Sequence, residues 1–168
     1  GSLHSHTTYS DGNVDLATMV KEYYNRDYDF LANADHGVTG VEWNKAPTLI
    51  PLYQYNPLIG NKQEHFTDEE YEAILAGTYS EGTSRTKSTG LQCVTGAIEG
   101  NMLVIQKNHV NGYFMDESNT TEGYLGEEGD FDTIIRMIDE AGGLSHINHP
   151  GDWLGSANGE LVYDEDGN

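Results

Sequence analysis

The chain opens with two histidines in the stretch Leu3-His4-Ser5-His6-Thr7-Thr8-Tyr9-Ser10-Asp11-Gly12. A spacing of two on an extended segment puts both imidazoles on one face. Asp11 follows five residues after His6, where a loop can curl back over that face. Imidazole and carboxylate are the donors that borderline divalent metals prefer, so this stretch reads as one corner of a metal site. Further corners recur where short apolar runs end. Residues 30–34 lead to Asp35-His36-Gly37, residues 91–98 to Glu99, residues 102–105 to His109, and residues 144–147 to Asn148-His149-Pro150. Each run reads as a strand. In parallel α/β folds and barrels the carboxyl ends of strands gather at one rim, which would bring together His4, His6, His36, Glu99, His109 and His149. Asp35 and Asn148 stand beside ligands and read as the groups that orient them. His146 points away from His149 by strand alternation or lies beside it in the turn, and reads as a supporting or structural residue. His65 reads as solvated. The single cysteine, Cys93, allows no intrachain disulfide and no Cys-rich zinc site, and reads as a small buried hydrophobe.

The elements that must carry these residues alternate. Asp15 is placed to cap a helix with Leu16, Met19, Val20 and Tyr23 at helical spacing, ending near Arg26. Strand, helix, strand in this order favours a parallel sheet with right-handed crossovers. Residues 38–90 hold Pro47, Pro51 and Pro57 and scattered aromatics that include Trp43, Tyr53 and Tyr55. So long an excursion reads as an insertion over the ligand rim, either a substrate-shaping lid or a cap. Within it, Thr67-Asp68-Glu69-Glu70 starts a helix with Tyr71, Ile74 and Leu75 as its apolar stripe and Gly77 as its stop. Gly112-Tyr113-Phe114 reads as a turn and residues 118–129 as an acidic loop. Asp130 is expected to cap a third helix with the stripe Phe131, Ile134, Ile135 and Ile138, closed by Gly142-Gly143.

Composition excludes some classes. The chain carries 28 acidic against 8 basic residues, a net charge of -20, which repels a phosphate backbone and argues against nucleic acid as a partner. No run of ~18 apolar residues is present to cross a membrane as a helix. The 168 residues suit one domain but are short for a complete barrel of ~250. Gly1-Ser2 and the polar Asp164-Glu165-Asp166-Gly167-Asn168 read as the ends of a fragment. Asn119-Thr120-Thr121 fits a glycosylation sequon. No signal peptide is visible, and the compartment stays open with the cytoplasm favoured.

Taken in order, Leu3-His4-Ser5-His6-Thr7, Ser10-Asp11-Gly12, Asp35-His36, Glu99, His109 and His149-Pro150 make the chain resemble the PHP (polymerase and histidinol phosphatase) superfamily, from residue 3 to about 150. The resemblance implies a distorted TIM-like (β/α)7 barrel, incomplete in this chain, with residues 38–90 inserted after the second strand. It implies a phosphoesterase with two or three zinc, manganese or iron ions. On this pattern His4 and His6 would bind the first metal and Glu99 would bridge the first and second. His109 and His149 would complete the second, and Asp11 and His36 would hold the third. Glu99, His36 and Asp11 are then the residues expected to act in catalysis. The expected substrate is a phosphomonoester or a small phosphodiester, cleaved by a metal-activated water, with Arg85, Lys87 and Lys107 as further phosphate contacts. The family's late Asp-x-His has no counterpart here. No histidine follows His149, and Asp152, Asp164 and Asp166 lack a histidine partner. Two alternatives stand beside this reading. An amidohydrolase-like enzyme usually needs a metal-bridging lysine at a middle strand end, where Glu99 stands instead. A non-catalytic module with a degenerate site is what the missing late ligands favour.

Overall fold

Asp15, Thr67 and their neighbours start helices where their side chains can take up the first free backbone amides. Helix α1 (Leu16–Asn25) begins with the Asp15 carboxylate accepting from the Thr18 amide at 2.9 Å, and it buries Leu16, Val20 and Tyr24. Helix α2 (Asp68–Ala76) has the full reciprocal cap between Thr67 and Glu70, with three acidic residues in its first turn that complement the helix dipole. It stops at Gly77, whose φ of +77° is left-handed and where a Cβ would lie 2.7 Å from the carbonyl carbon of Thr89. Helix α3 (Phe131–Glu140) buries Ile134 and Ile138, with Phe131 and Ile135 half-buried on the same stripe. The computed structural model describes residues 1–38, 40–47, 63–100, 109–116 and 131–149. Among these the chain is mixed α/β, with three helices, two small sheets and no closed barrel.

The parallel expectation holds in the first half. Strand β1 (Phe30–Leu31) pairs in parallel with β2 (Gln92–Cys93). Ser2 bridges Leu31 in parallel, and His36 bridges Glu99 in parallel. The amides of Ala32 and Ala34 donate to the carbonyls of Ser2 and Ser5, so residues 2–7 run alongside 30–36. The ligand-bearing ends of three segments therefore lie side by side. The strand expected over 91–98 is interrupted: after β2 the chain turns at Gly96, φ +57°, before β3 (Ile98–Gly100).

The second half departs from the parallel plan. Strands β4 (Val110–Tyr113) and β5 (Leu144–Ile147) complete a sheet of order β3-β4-β5, antiparallel throughout, with Glu99 opposite Asn111 and Val110 opposite Ile147. Gly112 and Tyr113 are thus strand residues rather than a turn. His109 directly precedes β4. The two antiparallel reversals return the chain to the same rim, so His109 and His149 still meet Glu99. Residues 102–105, the acidic loop over 118–129, and Asp130, Pro51, Pro57, Tyr53, Tyr55, Lys107, Asn119, Pro150, Asp152, Asp164 and Asp166 lie outside the described residues.

The main core packs α1 and α2 over β1 and β2. Its buried members include Tyr9, Leu16, Val20, Leu31 and Leu91, but also Val38, Val41, Trp43, Phe66, Tyr71, Ile74 and Tyr79. The described parts of residues 38–90 therefore contribute to the core, each large apolar side chain adding about 1.5–3 kcal/mol by its burial. Trp43 is fully buried and its indole donates to Asn33 Oδ1 at 2.9 Å. A smaller core gathers Val110, Met115, Ile134, Ile138 and Ala141 between α3 and the antiparallel sheet. Cys93 is half-buried against the main core, and burial pushes its thiol up to about 12, which suits packing rather than nucleophilic chemistry. No helix among the described residues is long and apolar enough to cross a membrane.

Candidate metal centre

Glu99 is fully buried, and its two oxygens divide five imidazoles between them. Oε2 lies 2.8 Å from His6 Nε2, 3.2 Å from His36 Nδ1 and 3.3 Å from His4 Nε2. Oε1 lies 2.7 Å from His109 Nδ1 and 3.9 Å from His149 Nε2. Asp11 closes the outer side, with Oδ1 2.6 Å from His6 Nδ1 and Oδ2 3.6 Å from His36 Nε2. The seven residues that the sequence singled out as ligands thus come together.

Local structure explains how they are held. The first loop closes on itself, with the amides of Ser10 and Gly12 both donating to the Thr7 carbonyl at 3.0 Å. Gly12 permits this closure, since a Cβ there would sit 2.3 Å from the carbonyl oxygen of His6. Buried Asp35 accepts from the Thr7 amide at 2.7 Å, the Thr7 hydroxyl at 2.8 Å and the Ser10 hydroxyl at 2.6 Å. It therefore positions the loop that carries His6 and Asp11, a role its place beside His36 did not suggest. Asn148 is also buried. Its amide donates to Glu99 Oε1 at 2.9 Å and to Asn111 Oδ1 at 2.6 Å. Asn111 and the Tyr113 hydroxyl in turn donate to the Leu3 carbonyl at 3.1 and 2.8 Å. A buried polar relay so links the first segment, β4 and the end of β5 to Glu99.

Sequence reasoning missed Asn111, Tyr113, Thr7 and Ser10. Asn111 carried a usable signal: an amide inside the apolar run Val110–Tyr113 must find a partner if the strand is buried. His146 is exposed and faces Asn148 Oδ1 through Nδ1 at 3.1 Å, a supporting position. His65 is not simply solvated, because its Nε2 lies 2.7 Å from the hydroxyl of buried Tyr9. Burial holds His65 below its ordinary value and, with the Asp35 charge, pushes the Tyr9 phenol up to about 12.

The electrostatics of the cluster centre on His6 and Glu99. An ionised Asp11 only accepts, so His6 Nδ1 carries the proton between them. The other nitrogen of His6 then faces Glu99 Oε2 at 2.8 Å and His4 Nε2 at 2.9 Å. In a neutral His6 these are lone pairs aimed at one another, and a proton or a shared cation must lie among them. Burial pulls His6 down, yet the hydrogen bonds to Glu99 and Asp11 outweigh it and raise its pKa to about 9. Burial pushes Glu99 up, but His109, His4 and His6 hold its carboxyl well below the usual carboxylate range. Burial likewise opposes the lowering of Asp11 by His6 and His36. His36 is lowered by burial and by the neighbouring His6 and His109, against the pull of Glu99 and Asp11.

Two donors each about 2.1 Å from one ion sit roughly 2.9–3.4 Å apart, close to the spacings of 2.8–3.3 Å among His4, His6 and Oε2. Three sets of donor atoms lie within 4.8 Å of one another: His4, His6 and Glu99; His6, Asp11 and His36; His36, Glu99 and His109. Nitrogen and oxygen donors without thiolate suit zinc, manganese or iron.

Two of the three expected phosphate contacts are elsewhere, and Lys107 lies outside the described residues. Arg85 donates to the carbonyls of Tyr24, Tyr28, Thr89 and Gly90 and lies 4.5 Å over the Tyr24 ring. Lys87 pairs with Asp29 at 2.7 Å. Tyr28 and Asp29 precede β1 whereas His36 follows it, so both cations tie a loop to the end of β1 opposite the cluster. Compared with family models, curated proteins and solved structures, the chain gives no match, and the centre is read from its own geometry.

Proposed function

We propose that the chain is a metal-dependent phosphoesterase of the kind that its PHP resemblance implies, acting on phosphomonoesters or small phosphodiesters. The barrel belongs to the same proposal, supported by the parallel run of residues 2–7, 30–36 and 92–99. The observation that carries the reading is Glu99, a buried carboxylate with imidazole nitrogens converging on both oxygens. A carboxylate so placed has one oxygen for each of two metal positions. Divalent ions held there would polarise phosphoryl oxygens and lower the pKa of an attacking water. His4 and His6 would hold an ion at Oε2, His109 and His149 an ion at Oε1, and Asp11 with His36 a third position at the rim.

The protein's own residues set what the site accepts. Two carboxylates, Glu99 and Asp11, face five imidazoles that are neutral when they bind metal, so a loaded centre keeps net positive charge and favours an anionic substrate. Asp11, with a side chain 70% exposed, is the ligand open to substrate, whereas Glu99 is shielded and keeps its place. The acidic surface disfavours nucleic acid as the substrate.

Elemental analysis of gently purified protein, with assays on aryl phosphates, bis-aryl phosphates and lactones in added manganese, tests the proposal. Bound transition metal and phosphate release that His6→Ala abolishes without loss of fold would support it. Metal-free protein without activity would overturn it. Bound metal with no hydrolysis across the panel would favour a degenerate module with a structural role.

A further inference from the structure

The two oxygens of Glu99 differ in how well their surroundings are built. Around Oε2 the imidazole contacts run from 2.8 to 3.3 Å, and His4 and His6 are 2.9 Å apart. Among His4 Nε2, His6 Nε2 and Oε2 the spacings of 2.8–3.3 Å are close to the roughly 2.9–3.4 Å that donors on one ion span. The donors there are fixed by backbone: the Ser5 hydroxyl holds the first segment to Ala32 at 2.7 Å, and Gly37 N donates to the Glu99 carbonyl at 3.0 Å beside His36.

Around Oε1 the geometry is looser. His109 is close at 2.7 Å, but His149 stands at 3.9 Å, beyond the roughly 3.4 Å that two donors on one tetrahedral ion span. The Asn148 amide takes up part of the same oxygen at 2.9 Å. His149 follows a strand that is exposed along its length, its side chain is 38% exposed, and its φ of +29° lies in the left-handed region, which is strained for a residue with a Cβ.

We infer that Glu99 serves two metal positions of unequal strength: a built, tightly bound one at Oε2 and an exchangeable one at Oε1, whose occupancy follows the free metal concentration because His149 must move to complete it. This deepens the phosphoesterase reading and rests on its metal centre. It makes the second ion a concentration-dependent switch on a centre that is always half loaded.

The experiment is a competition titration of chelator-treated full-length chain with zinc, using a chromophoric chelator, repeated with cobalt and its absorption spectrum. The wild type should show two classes of site with dissociation constants at least tenfold apart. His149→Ala should remove the weaker class and leave the tighter constant within about threefold. His6→Ala should remove the tighter one, with far-UV circular dichroism confirming that both variants fold. A single class of equivalent sites in the wild type overturns the inference whatever the variants do, as does a His149→Ala protein whose tight class weakens as much as that of His6→Ala. Hydrolysis of phosphate esters with equivalent sites would sink this inference alone. Unequal sites without hydrolysis would sink the phosphoesterase reading alone. Absence of any zinc or cobalt binding would sink both.

Discussion

Metal-free protein should lose stability between pH 6.5 and 9, and His6 sets the size of the loss. Its pKa is raised from 6.5 to about 9, with Glu99 and Asp11 outweighing the burial that would lower it. At about 1.36 kcal/mol per tenfold change in proton affinity, that is roughly 3 kcal/mol, and a side chain only 18% exposed is little screened. Because the folded value lies above the unfolded one, the fold binds the proton more tightly. The stabilisation is whole below pH 6.5 and is lost as pH rises through 9. The window must end there, since the raised Cys93 thiol begins to contribute above that point. Urea unfolding of chelator-treated protein at pH 6, 7, 8 and 9 measures the slope. Glu99→Gln keeps the shape and removes the larger of the two anionic influences, so the slope should largely vanish. Wild-type stability flat to within about 0.5 kcal/mol over the window, or a full slope retained in Glu99→Gln, would refute the assignment of Glu99 as the partner that keeps His6 charged.

Three further outcomes test the positioning of the centre. Gly12→Val should lower stability by about 1–3 kcal/mol in urea unfolding, because a Cβ would meet the His6 carbonyl at 2.3 Å, and zinc affinity should fall with it. Arg85→Ala should lower the melting temperature by several degrees through its lost bonds to four carbonyls, yet leave zinc content and any phosphatase rate unchanged; a KM effect on phosphate esters would restore it as a substrate contact. Asn148→Ala should weaken zinc by about 10- to 100-fold in a competition titration, as loss of a group that orients a ligand does.

What was legible in the sequence was mostly local. The caps of α1 and α2 and the apolar stripes of all three helices could be read because each depends on residues within one or two turns. The candidate ligands could be read because imidazole and carboxylate chemistry is rare enough that its recurrence after apolar runs stands out. The direction of β4 and β5 could not be read. A four-residue strand such as Val110–Tyr113 looks the same in either direction, and only its partners, Glu99 opposite Asn111, decide it. Within residues 38–90 the burial of Trp43 was not legible either, since it is a tertiary fact that depends on Asn33 supplying an acceptor. Arg85 stood as a candidate phosphate contact because its carbonyl partners are visible only in space.

Glu99 is also the seam between the two sheets. Its amide and carbonyl bond to Asp35 and Gly37 on the parallel side, and it pairs with Asn111 on the antiparallel side. On the proposed metal reading, loading the centre and docking the two cores would be one cooperative event, with binding to the docked form stabilising it by mass action. Chelation should reach β4, β5 and α3 first, whose small core has least to hold it in place. Amide hydrogen exchange would then report metal occupancy more than 100 residues along the chain from the first histidines, with α1 and α2 protected throughout.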